Sequence, residues 1–158
     1  TPLHLAVKQG HVGDVEKLIR AQAPWIAVST AKWRTPLHLA VSHGQWGVVD
    51  ARTRAGASVE NSDSDGNTPL HDALNHAEDA WVDGTVRKLT ELGASVVAQD
   101  DSGFTPIHIA AEKGAIGTLR ELMDPGASSD LCWYDGYTPL HQAPIRGHME
   151  CVRELLKK

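Results

Sequence analysis

Thr35-Pro36-Leu37-His38-Leu39-Ala40-Val41 starts a segment that is followed, 33 residues on, by Thr68-Pro69-Leu70-His71. The same tetrapeptide stands at Thr1–His4 and Thr138–His141, and Thr105-Pro106-Ile107-His108 differs in one residue. The intervals along the chain of 158 residues are 34, 33, 37 and 33. A period of this size implies stacked units, none of which can bury its apolar face alone. Working outward from the tetrapeptide, threonine caps the first free N–H groups of a helix, and proline loses nothing at the first helical position. Apolar residues follow, as in Leu3, Leu5, Ala6 and Val7. A glycine then stops the helix nine residues after the threonine, at Gly10, Gly44, Gly114 and Gly147.

A second helix is predicted from its apolar stripe. Fourteen residues after the threonine lie Val15, Val49, Leu119 and Val152, and seventeen after lie Leu18, Arg52, Leu122 and Leu155. A three-residue step keeps both positions on one face. Gly56-Ala57, Gly93-Ala94 and Gly126-Ala127 supply a left-handed stop. Asp63-Ser64-Asp65-Gly66, Asp100-Asp101-Ser102-Gly103 and Tyr134-Asp135-Gly136 are turn sequences.

The order of turn, Thr-Pro-Leu-His helix, glycine, second helix and Gly-Ala loop resembles the ankyrin repeat. The match spans nearly the whole chain, residues 1–158 as one domain. Units start at about 1, 35, 68, 105 and 138, and the last is truncated. The resemblance implies an all-α solenoid with hairpin-like loop tips and a histidine that bridges neighbouring loops. It further implies a non-catalytic scaffold that binds a protein along the tips and the concave first-helix face. Carried over position by position, the tip residues are Lys32 and Arg34; Ser64, Asp65 and Asn67; Asp101, Ser102 and Phe104; Tyr134, Asp135 and Tyr137. The first-helix residues are Lys8 and Gln9, Ser42 and His43, Asn75 and His76, Glu112 and Lys113, Ile145 and Arg146. Phe104 and Tyr137 put an aromatic beside an acidic residue and are the expected anchors, since aromatics are enriched at binding hot spots.

Apolar residues make up 41% and aromatics 5% of the chain, which suits a thin array with an aliphatic core. No run of about 18 apolar residues marks a membrane span. Cys132 in a loop and Cys151 on a second helix form neither a disulfide framework nor a zinc pattern, so an intracellular location, cytoplasmic or nuclear, is expected. The first residue falls in mid-repeat, and the chain reads as a fragment of a longer protein. Five of the nine histidines belong to the tetrapeptide, and none of the common catalytic or phosphate-binding motifs is present. No catalytic residue, metal or cofactor is therefore expected. Net charge is −5 and unevenly spread: residues 1–59 carry seven basic and three acidic side chains, residues 60–101 two and ten. That acidic belt, which includes Glu60, Asp63, Asp65, Asp72, Glu78, Asp79, Asp83, Asp100 and Asp101, repels nucleic acid and suits a basic surface on a protein partner. A monomer is favoured. The array reads as an adaptor or inhibitor; the alternatives are the docking part of a larger enzyme, such as a ubiquitin ligase or kinase, and a pathogen effector.

Four irregularities carry individual expectations. Repeat 3 holds four extra residues around Asn75–Gly84, so either its first helix gains about a turn or its loop bulges, with Trp81 and Val82 filling an apolar slot. The first tip reads Gln22-Ala23-Pro24-Trp25-Ile26, with Trp33 near the usual turn glycine; Trp25 and Trp33 pack together under the loop or present an anchor. Arg52 interrupts the apolar stripe of repeat 2 and must snorkel or find an acidic partner. Pro144 deletes a helical hydrogen bond in repeat 5, predicting a kink or an early end.

Overall fold

Each proline of the repeated tetrapeptide is the first residue of a helix. In a computed structural model, residues 2–21, 32–76, 82–123 and 136–157 are described. They form five helix pairs: α1 (Pro2–Lys8) with α2 (Val12–Arg20), α3 (Pro36–Ser42) with α4 (Trp46–Arg54), and α5 (Pro69–His76) with α6 (Val82–Glu91). Then come α7 (Pro106–Lys113) with α8 (Ile116–Met123), and α9 (Pro139–Ile145) with α10 (Met149–Leu155). No strand occurs among the described residues, so the tips are turns and the fold is an all-α repeat solenoid.

The tetrapeptide starts the helix and joins the repeats at the same time. The Thr35 N–H donates to Nδ1 of His38 (3.1 Å), and the Thr35 hydroxyl lies 2.8 Å from the same nitrogen. A nitrogen that accepts a backbone N–H carries no proton, so the ring's proton sits on Nε2. That N–H reaches out of the repeat and donates to the carbonyl of Asn67, at 2.9 Å. His4 reaches the Arg34 carbonyl (3.1 Å), His71 that of Phe104 (3.1 Å) and His108 that of Tyr137 (3.2 Å). In every case the acceptor is the residue just before the next threonine of the series. His141 keeps its own capping bonds but is exposed.

The helices stack in two layers. First helices pack in the order α1, α3, α5, α7, α9, and second helices pair α2 with α4, α6 with α8 and α8 with α10. The junction of α4 with α6 is the sparsest of the second layer, and the ion pair of Lys88 with Asp50 (3.2 Å) crosses it. The core is aliphatic: Leu3, Leu37, Leu70 and Ile107 from the first helices, and Val15, Val49, Val86, Leu119 and Leu122 from the second, are all buried. At the α7–α8 turn Gly114 has φ +71°, and a Cβ there would run into the His148 ring, so repeats 4 and 5 close over a position that only glycine fills.

Two of the four irregularities resolve into structure here. The described part of α5 runs to His76, and the extra residues of repeat 3, with Trp81 and the Val82 side chain, lie outside the described residues. Pro144 does not end α9, which runs through Ile145 and is as long as α1 and α3. The proline sits in the last turn of a short helix, and the following N–H groups still find carbonyls, Gly147 on Pro144 (3.0 Å) and His148 on Ala143 (2.8 Å). Arg52 does not snorkel: it is 1% exposed, and burial lowers its guanidinium pKa. Cys151 is a buried core residue, as its place on α10 predicts.

Replacing Leu122 by Ala is expected to cost about 2–5 kcal/mol in chemical denaturation, because the side chain is fully buried; a loss below about 1 kcal/mol would contradict its core position. Burial pushes the imidazoles of His38 and His71 below their ordinary value of 6.5. With the folded pKa depressed, the unfolded chain binds protons first, so this contribution is whole above about pH 6.5 and is lost as pH falls below it. Thermal melts should show the transition temperature dropping from pH 7 to pH 5, and a flat profile over that span would refute it.

Candidate functional site

Between consecutive repeats the tips are tied together by backbone. The N–H of Ser64 donates to the carbonyl of Lys32 (2.9 Å), and that of Asp101 to the carbonyl of Asp65 (3.0 Å). The tips before α5 and α7 are each internally clamped by an aspartate. Asp63 Oδ1 accepts from the N–H groups of Asp65 and Asn67, both at 2.9 Å, and from the Asn67 side chain at 3.3 Å. Asp100 Oδ1 accepts from Ser102 (2.9 Å) and Phe104 (2.8 Å). Gly66, at φ +78°, lies so close to the next tip that a Cβ would stand 2.5 Å from the Asp101 nitrogen.

Trp33 holds the position that Gly66, Gly103 and Gly136 hold in the other tips, two residues before the threonine. It adopts the left-handed conformation as well, with φ 53°, the one non-glycine residue to do so among the described residues. Its side chain is 64% exposed, so it does not pack under the loop; Trp25 lies outside the described residues. A left-handed conformation costs a residue with a Cβ on the order of 1–2 kcal/mol, and here that cost holds a large aromatic out in solvent.

Beside Trp33 the tips before α3 and α5 and the end of α5 enclose a cleft of about 340 Å³. Lys32 and Arg34 line it from one tip and Asp63 and Asn67 from the next; Asp72, Asn75 and His76 come from α5. Both Nε (3.0 Å) and Nη2 of Arg34 donate to Oδ2 of Asp72, a pair of which the carboxylate is 4% and the guanidinium 18% exposed. Oδ1 of the same carboxylate has His76 Nε2 at 3.7 Å. Lys32 Nζ is held by Asp65 at 2.9 Å on the exposed rim.

The structure thus brings five of the expected contact residues to one place: Lys32, Arg34, Asn67, Asn75 and His76. Ser64, Asp65, Asp101 and Ser102 are exposed on the tips. Others are engaged within the array. Ser42 and His43 bond back to the Leu39 carbonyl, Lys113 donates to the Asn75 carbonyl (2.8 Å), and Arg146 pairs with Glu112 (2.6 Å). Phe104 is half-buried against the core, with its ring 5.6 Å from that of His108. Tyr137 is 41% exposed and meets His141 edge-on. Lys8, Gln9 and Ile145 are exposed; Tyr134 and Asp135 lie outside the described residues. The acidic belt is largely spoken for: Asp63 and Asp100 clamp turns, Asp65 and Asp72 pair with cations, and Glu60 accepts the Ser95 N–H (2.8 Å). Glu78, Asp79 and the Asp83 side chain are not described. Sequence reasoning missed Asp63 and Asp72 as cleft residues. The available signal was Asp72 standing where Leu5, Leu39 and Ile109 stand, one repeat after an arginine that replaces Asn67, Phe104 and Tyr137.

The family model described as ankyrin repeats (3 copies) matches residues 3–100 and 80–158. The chain belongs to the ankyrin-repeat family. No curated protein matches the sequence. Ankyrin repeats are generally protein–protein interaction modules. Among the described residues no helix is long and apolar enough to cross a membrane, and no group of three or more His, Cys, Asp or Glu side chains could hold a metal ion.

Gly66→Ala should destabilise this ankyrin array by roughly 2 kcal/mol or more, since it adds positive-φ strain to a clash with the Asp101 backbone. Urea titration checks this, and a neutral result would mean that the two tips are not held at this spacing.

Proposed function

We propose that this ankyrin domain is a non-catalytic recognition scaffold whose protein partner lies along the hairpin tips and the first-helix face. The observation that carries the reading is Trp33. A tryptophan in a backbone conformation better suited to glycine, two-thirds exposed and beside a cleft, loses stability for the sake of surface aromatic area. Aromatic anchors of this kind dominate binding energy in protein interfaces. Lys32, Arg34, Asn67, Asn75 and His76 supply the adjoining polar contacts, and Asp65, Asp101 and Ser102 extend the surface along the tips. The same reading places the protein inside the cell, as an adaptor or as the docking part of a larger assembly.

A photo-cross-linking residue in place of Trp33 should capture a protein partner from the source cells, and the same residue in place of Glu91 on α6 should not. Trp33→Gly should abolish capture while leaving stability unchanged or raised by up to about 1 kcal/mol, because relief of strain competes with glycine's added chain entropy. Capture from position 91 alone, or undiminished binding by Trp33→Gly, overturns the reading.

A further inference from the structure

The outer face of repeat 5 reproduces, 33 residues on, the face that repeat 4 turns toward it. His108 on α7 and Ile116, Arg120 and Met123 on α8 correspond to His141, Met149, Arg153 and Leu156. In repeat 4 all four are engaged, with α9 packed on α7 and α10 on α8. Ile116 packs against the core and Met123 is 5% exposed. Arg120 donates to Glu154 at 3.0 Å, and His108 Nε2 reaches the Tyr137 carbonyl at 3.2 Å. In repeat 5 the same positions stand open. Met149 is 55% and Leu156 65% exposed. Arg153 meets Glu150 of its own helix at 3.1 Å, both side chains in solvent. His141 keeps its capping bonds, and among the described residues no carbonyl takes its Nε2–H.

This face is not made for water. Met149, Val152 and Leu156 recur at helical spacing on the side of α10 opposite the buried Cys151 and Leu155. The same three positions on α8 hold Ile116, Leu119 and Met123. A repeat that closes an array needs a polar outer face to stay soluble, and here the stacking stripe is kept apolar.

Charge decides what fits it. Along the second helices Arg87 pairs with Glu121 and Arg120 with Glu154, each pair crossing one repeat boundary. A unit that continues this row presents a carboxylate to Arg153. A second copy of this chain stacked head to tail does not. Sixteen residues after the threonine, where repeat 5 has Glu154, repeat 1 has Lys17, and the two cations would face each other.

We propose that the outer face of repeat 5 receives a further helix pair of the ankyrin type, stacked in the same register. It brings a carboxylate to Arg153, a backbone carbonyl to His141 Nε2–H and apolar cover to Met149 and Leu156. The interface between repeats 4 and 5 is thereby continued by one period, and the row of ion pairs selects against copies of this chain.

The test appends a second copy of residues 126–158 to the intact chain, which keeps the spacing of 33 and sets the duplicated Glu154 opposite Arg153. The melting temperature should rise by about 5 °C or more. Amide exchange across α9 and α10 should slow roughly ten-fold, and the His141 Nε2 proton should become protected from water. Glu154→Lys in the appended copy should lower the gain by about 2 °C, and adding Arg153→Glu should restore it. Met149→Ser with Leu156→Ser changes exposed positions only, so the parent chain should melt within about 1 °C of the original, while most of the gain from the appended unit is lost. No gain on extension, a gain that survives the two serines, or one indifferent to the charges at Glu154 and Arg153 overturns the proposal. Self-association of the parent chain that Leu156→Ser abolishes gives the face to a second copy and overturns it equally.

Discussion

One imidazole ring in each of repeats 2, 3 and 4 does two jobs at once, and the rest of the array is organised around it. Nδ1 takes the N–H and hydroxyl of the threonine that starts its own helix, and Nε2–H takes the carbonyl that precedes the next threonine. A neutral histidine can accept on one side and donate on the other at fixed geometry, and no other side chain combines both in so rigid a ring. The start of a helix and the register of the following repeat are therefore set by the same residue. This explains how the array accommodates irregular lengths. His38 and His108 reach carbonyls 29 residues on, while His71 reaches Phe104, 33 residues on, at a comparable distance. The extra residues of repeat 3 lie between His71 and the Phe104 carbonyl that it reaches, so the bond that sets the spacing holds across the longer repeat.

A second consequence is that side chains distant in sequence face each other at regular intervals. Lys32 with Asp65, Arg34 with Asp72, Arg87 with Glu121, Arg120 with Glu154 and Arg146 with Glu112 all pair across one repeat boundary. Most are exposed and contribute little individually. Arg34 with Asp72 differs because it is buried, so its value lies in fixing the geometry around it more than in net stability. Segment-wise charge sums overstate the field of the middle of the array, since the basic first third and the acidic middle are neighbours in space and neutralise one another in pairs.

The sequence by itself determined the fold and its periodic core. Thr-Pro-Leu-His at near-constant spacing specifies a capped helix start, the apolar residues fourteen and seventeen positions later specify the second helix, and Cys151 falls in the core where its position says it must. These are local or periodic signals, and they survive in a one-dimensional reading because each repeat contacts only its neighbours. The tertiary structure decided the rest. It decided that Arg52 is buried, that Pro144 is carried inside a helix too short to be broken by it, and that Trp33 faces solvent. It also decided which charges cancel: Asp72 and Arg34 are 38 residues apart in sequence and share a hydrogen bond only because a tip folds over the helix of the next repeat. A site made from two tips and one helix end depends on distances across repeats. The repeat period locates those elements to within a residue, but where a side chain points once it is there is settled by packing.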